Sequence, residues 1–174
     1  GFEARHTFDG GFDSSTTPYD AAQQVLAVAR SFLMPSGTSY RIVTDKVRAR
    51  TQLFNMADMR PDSYQCTWLS LNDRVSKLEG ENFIEAAADF TQKPMATFNP
   101  SINNKALTQT IDLTGITRWS EAWRLLTYYL NWNQYLLRTY SFIVDTEAIV
   151  SEVGDRVDIQ DELVSDGGSG KVMA

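Results

Sequence analysis

One cysteine and one histidine in 174 residues leave little material for several kinds of chemistry. Cys66 alone forms no internal disulfide and anchors no multi-cysteine zinc site. His6 has no serine or cysteine partner at a recognisable spacing, so a nucleophile–histidine–acid triad has no basis, and a satisfied structural histidine is the reading. Neither a G-x-S-x-G, an H-E-x-x-H nor a G-x-x-x-x-G-K-[ST] pattern occurs, which removes the signatures of hydrolase elbows, zinc peptidases and phosphate loops. No apolar run approaches the roughly 18 residues of a membrane span, and no membrane span is expected. Positive charge is also short: 16 Lys and Arg against 22 Asp and Glu give a formal net charge of -6. That balance argues against stable nucleic-acid binding, because phosphate neutralisation needs clustered cations. The local trio Lys46, Arg48 and Arg50 reads as a solvated hairpin edge.

What is abundant is apolar: 43% of residues, enough for a core in a chain of this length. The chain begins at Gly1 and ends GGSGKVMA, which reads as an internal piece of a longer protein, cut at the start of another strand.

The strongest local signal lies between Thr117 and Gln160. Trp119, Ala122, Trp123, Leu126, Tyr129, Leu130, Asn133, Leu136 and Leu137 recur at three- and four-residue steps, the spacing of one helix face, with Asn133 its one polar member. Thr117 is the expected N-cap, and a helix reaching Arg138 would be about 30 Å long. Then the period changes to two. Tyr140, Phe142 and Val144 alternate with Ser141, Ile143 and Asp145, and after the Gly154–Asp155 turn Val157 and Ile159 alternate with Arg156, Asp158 and Gln160.

Earlier in the chain, residues 2–13 read as a short strand ending in a turn. A helix follows, with Thr17, Pro18 and Asp20 as its start and Tyr19, Ala22, Val25, Leu26, Ala29, Phe32 and Leu33 as its buried stripe; Met34–Gly37 ends it. Ser39–Thr44, Gln52–Phe54 and Tyr64–Trp68 carry strand alternation. Val75–Leu78 reads as a strand, Phe83–Phe90 has helical propensity over two turns, and Thr108–Leu113 is a strand leading into the long helix. The predicted class is α+β: short antiparallel strands and hairpins packed by two helices, the second long. Residues 1–160 form one predicted domain with a variable insert at 82–106; residues 161–174 are a Gly/Ser-rich linker into a truncated strand.

Acidic residues are candidates for catalysis and for calcium. Glu79, Glu81 and Glu85, or Glu147, Glu152 and Asp155, supply carboxylate pairs of the number a glycosidase needs, but they sit in polar turns where carboxylates face water. Asp155, Asp158, Asp161 and Glu162 lack the oxygen spacing and central glycine of a calcium loop. No catalytic residue, metal or cofactor is expected. The aromatics carry more information. Core packing accounts for Trp119, Trp123 and Tyr129, whereas Tyr128, Trp132 and Tyr135 fall off the apolar stripe and read either as partly exposed aromatics or as anchors of a subunit interface. The alternative use of such rings is a carbohydrate-binding or adhesin module of a cell-surface protein.

The segments FDGGFDSSTTPYDAAQQVLAVAR, SYRIVTDKVRARTQLFNMADM, SYQCTWLSLNDRVSKLEG, GITRWSEAW, SFIVDTEAIVSEVGDRVDI and SGKV occur in an order that resembles the central hub region of the phage and prophage tip attachment proteins, the host specificity protein J family. Residues 82–106 depart from that pattern. The resemblance implies a virion structural protein, made in the host bacterial cytoplasm and residing in the virion tail. Its implied place is a trimeric tail-tip or baseplate hub that joins the tail tube to the receptor-binding tip and forms part of the DNA exit channel. Implied partners are further copies of the chain and the tube, distal tail and tape measure proteins. An acidic lumen would then keep the exiting genome from adhering.

Overall fold

The computed structural model describes residues 2–70, 73–98, 107–146, 150–160 and, as backbone, 168–171. In chain order these form helix α1 (Pro18–Val28), strands β1 (Ser31–Ser36), β2 (Ser39–Thr44), β3 (Arg50–Asn55), β4 (Gln65–Trp68), β5 (Lys77–Glu81) and β6 (Ile84–Glu85), a 3-10 turn (Ala86–Ala88), strands β7 (Thr91–Gln92), β8 (Met95–Phe98) and β9 (Thr108–Asp112), helix α2 (Trp119–Tyr135), and strands β10 (Arg138–Ser141), β11 (Arg156–Gln160) and β12 (Gly168–Lys171). The class is α+β with two helices, as the periodicities predict. No helix among the described residues is long and apolar enough to cross a membrane.

The chain divides into two compact units, one from Gly1–Leu33 and Trp68–Leu137, the other from Met34–Thr67 and Arg138–Ala174. Each unit draws on two separated stretches of chain, so neither leaves a single boundary for composition to reveal.

In the first unit β5 is the middle strand of three, antiparallel to β8 and parallel to β9. The α2 helix lies on β5 and β8. Its inward residues Ala122, Leu125, Leu126 and Leu130 join Leu78, Phe83, Leu113 and Ile116 in one buried cluster. Fully burying a side chain of this size stabilises by about 1.5–3 kcal/mol, so this cluster is the main apolar reason for the unit to exist. The polar member of the helix stripe serves the backbone, since Asn133 Oδ1 accepts the Val75 amide at 2.8 Å.

The α1 helix starts as expected. Thr17 caps it by accepting the Asp20 amide at 3.2 Å and donates its hydroxyl to the Asp20 carboxylate at 2.6 Å. It ends earlier than the apolar spacing predicts, because Arg30 takes a left-handed backbone (φ 52°) and breaks the helical path. Phe32 and Leu33 therefore lie on β1, which pairs with β2 around Gly37.

Three other local expectations are corrected. Residues 2–13 contain no strand; the segment is held by side chains and by the Asp9 amide donating to the Gly115 carbonyl at 2.8 Å. Arg118, not Thr117, is the N-cap of α2, since the Thr117 hydroxyl donates instead to Asp9 Oδ2 at 2.6 Å. Phe83–Phe90 holds β6 and, in place of the expected two helical turns, only a 3-10 turn, because Asp89 and Phe90 both adopt positive φ and turn the chain from β6 into antiparallel β7. Of the expected insert, 82–98 supplies β6, β7 and β8, with β8 an edge strand of the three-stranded sheet; 99–106 lie outside the described residues.

In the second unit β11 runs parallel to β3 and antiparallel to β12, and β4 pairs with β10. The two parallel ladders, one in each unit, depart from the hairpin pattern. A parallel pair joins distant segments, and nothing in either strand alone announces it. Phe54, Met59, Val157 and Ile159 form the buried core, with Tyr140, Phe142 and Val144 packed against it, so the alternation on both sides of the Gly154 turn holds. Of the expected linker, 161–167 and 172–174 lie outside the described residues, whereas 168–171 pair with β11 as a strand.

Candidate interaction surface

The aromatic residues of α2 occupy two places. Tyr128, Trp132 and Tyr135 are spaced i, i+4 and i+7, which sets them on one helix face. Trp132 is 46% and Tyr135 72% exposed, while Tyr128 is half-buried, with the Arg30 guanidinium 4.6 Å above its ring and Tyr129 against its edge. Two of the three predicted anchors are thus uncovered, and the third is roofed by a cation.

Trp119 and Trp123 do not enter the core. They are 54% and 45% exposed and stack on each other with centroids 6.4 Å apart and planes at 11°. The buried face is turned toward Leu125 and Glu121. Glu121, 2% exposed, accepts the Thr7 amide at 2.7 Å, the Thr7 hydroxyl at 3.0 Å and Arg118 at 2.6 Å. A charged residue on an inward face is tolerable only with such partners, and Thr7 comes from a segment more than a hundred residues away. The signal available in sequence was Leu125, which the Trp-centred stripe left out.

Four of the candidate carboxylates are engaged with cations. Glu79 pairs with Lys77, Glu152 with Arg41, Glu85 with Lys93 at 2.8 Å and Asp155 with Arg48 at 3.5 Å. Arg50 meets Asp158 at 3.1 Å, so two of the basic trio are ion-paired. Glu147, Asp161 and Glu162 lie outside the described residues. Among the described residues no group of three or more His, Cys, Asp or Glu is placed to hold a metal ion. An open, largely apolar hollow of about 330 Å³ lies beside Gly115, lined by Asp9, Ile84 and Phe90 among others. Its one acid, Asp9, is held by Thr117.

Titration behaviour follows these contacts. Burial, then the nearby Arg30, holds the His6 imidazole below its ordinary value, with Glu121 opposing. Burial opposes ionisation of Asp112, but hydrogen bonds from Asn82, the Thr114 hydroxyl and backbone amides outweigh it and keep the carboxyl below its usual range.

No family model matches the chain, and no curated protein matches it in sequence. Its fold does have counterparts. The tail protein from Neisseria meningitidis MC58 superposes with a TM-score of 0.68 at 10% identity, over 94% of this chain and 51% of that one. A chain from the virion of a native gene transfer agent particle gives 0.65 at 17% identity, over 82% and 33%. The 43 kDa tail protein of prophage MuSo2 from Shewanella oneidensis gives 0.58 at 12% identity, over 88% and 48%. The chain has the fold of phage tail proteins, and it spans about half the length of the two tail proteins and a third of the particle chain.

Proposed function

We propose that this chain is a structural, non-catalytic part of a phage or prophage tail, within a tail-tip or baseplate hub of the host specificity protein J type. There it links the tail tube to the receptor-binding tip and contributes to the DNA exit channel. The observation that carries the reading is the tail-protein fold extending over 94% of the chain. The uncovered aromatics of α2 support a packing role, since Trp and Tyr supply large contact area at small entropic cost. Ion pairing of Glu79, Glu85, Glu152 and Asp155 with separate cations supports a non-catalytic reading, because an acid–base pair needs two groups converging on one substrate atom. The partners in this reading are two further copies of the chain and the other tail proteins, in the virion.

The test is electron microscopy of the chain with its flanking domains restored. A three-fold ring is expected, and Trp132→Ala with Tyr135→Ala should weaken its assembly while leaving the thermal midpoint unchanged. A flanked protein that stays monomeric at high concentration, or a glycan array showing specific binding lost with Trp132→Ala, would overturn the hub reading.

A further inference from the structure

Beside α2 the first unit holds an open cleft of about 280 Å³ whose walls include Arg5, Arg30, Arg124, Trp123 and Tyr128. In a chain of net charge -6 this gathering of three guanidinium groups is out of keeping with the whole. Its charge is not cancelled from within. Glu121 borders the cleft but is engaged by Arg118 and Thr7. Arg124 lies 3.7 Å from Glu3 and donates to the Arg5 carbonyl. Arg5 and Arg30 have no carboxylate partner among the described residues. Burial is the main reason His6 lies below its ordinary value, and Arg30 and Arg5 add to it while Glu121 opposes.

Two cleft residues also carry unmet hydrogen-bonding capacity. Arg30 Nε and Thr127 Oγ1 are both buried atoms, and neither has a partner among the described residues. Such atoms are costly to leave unsatisfied. The Arg30 guanidinium also lies over the Tyr128 ring, 4.6 Å from its centroid, a contact that restrains it.

We propose that this cleft is a carboxylate-binding site that receives an acidic side chain from a peptide segment of a neighbouring polypeptide. Guanidinium groups pair with the two oxygens of a carboxylate in a fork, and the rings of Trp123 and Tyr128 flank its aliphatic stem. A nucleic acid is the poorer match. It needs a track of cations, whereas Arg41, Arg48, Arg50 and Arg60 are ion-paired and the chain as a whole is acidic. The site depends only on the charges of the first unit and stands or falls apart from the tail assignment.

The experiment is an NMR titration of the full chain, following the Arg30 Nε–H and Trp123 indole signals, with a capped tetraglutamate peptide. Capped tetraglutamine, inorganic phosphate and a single-stranded oligonucleotide are the other arms. Tetraglutamate should shift both signals, and tetraglutamine should not. Arg5→Gln, at an exposed position, should weaken binding at least fivefold with the spectrum otherwise unchanged. Arg30→Lys, which keeps the charge but loses the fork, should weaken it comparably. The proposal is overturned if tetraglutamate shifts neither signal, if Arg5→Gln and Arg30→Lys both bind like the parent, or if phosphate or the oligonucleotide binds as tightly as the acidic peptide.

Discussion

The Glu121 carboxylate accepts both the backbone amide and the hydroxyl of Thr7, 114 positions earlier in the chain, at 2.7 and 3.0 Å. This contact fastens the strandless N-terminal segment to the first turn of α2, where a negative charge also suits the helix dipole. Glu121→Ala removes three acceptor contacts and leaves Arg118 without its buried partner. Because Arg118 is 26% exposed and can recover water, the expected loss is about 2–3 kcal/mol, below the full cost of a stranded buried charge. Urea denaturation measures it, and a loss under about 0.5 kcal/mol would show that the tie is ornamental.

Gly115 precedes α2 at φ +83°, and a Cβ there would stand 2.2 Å from Phe8 Cε2. Gly115→Ala should destabilise by about 1–3 kcal/mol, from the backbone conformation and the clash together. Phe8→Ala leaves room for that Cβ, but by itself it gives up the packing of Phe8 against the core and its stack on Phe12. The double variant should therefore lose less than the two single variants summed, and strict additivity in a thermal double-mutant cycle would refute the close approach.

The rotation of α2 can be read from two substitutions. Leu126 is fully buried, so Leu126→Ala should cost about 2–5 kcal/mol. Trp119→Ala removes a larger side chain from a 54% exposed position and should cost about 1 kcal/mol or less, chiefly the stack on Trp123. Chemical denaturation that ranks them in the opposite order would restore the Trp-centred face as the core.

Burial keeps the folded-state value of His6 below the ordinary 6.5, so in the window between the two the unfolded chain binds the proton and the folded chain does not. Stability from this group is complete above 6.5, falls as pH drops through that window, and is lost in full below the folded value. The charged groups that set the window are Arg30, Glu121, Arg5 and Arg124. Relative to the parent, His6→Gln should gain stability on going from about pH 7 to about pH 5, measured as the difference between paired denaturation midpoints. A constant difference across that range would contradict the burial argument.

Both helices and most strands were legible in the amino-acid order, because a capping box, a three-four spacing or a two-residue alternation is made by neighbours in the chain. Thr17 with Asp20 and the Val157–Ile159 alternation are examples. Pairing and facing were decided elsewhere. Whether Trp119 or Leu125 turns inward depends on the sheet of β5 and β8 and on Thr7 waiting for Glu121, none of which is near α2 in sequence. Phe32 and Leu33 fit a helix by spacing, yet they lie on β1. The cleft of Arg5, Arg30 and Arg124 has no motif at all. It exists because folding brings three scattered cations to one side of a helix, and electrostatic proximity is a property of space, which local sequence does not encode.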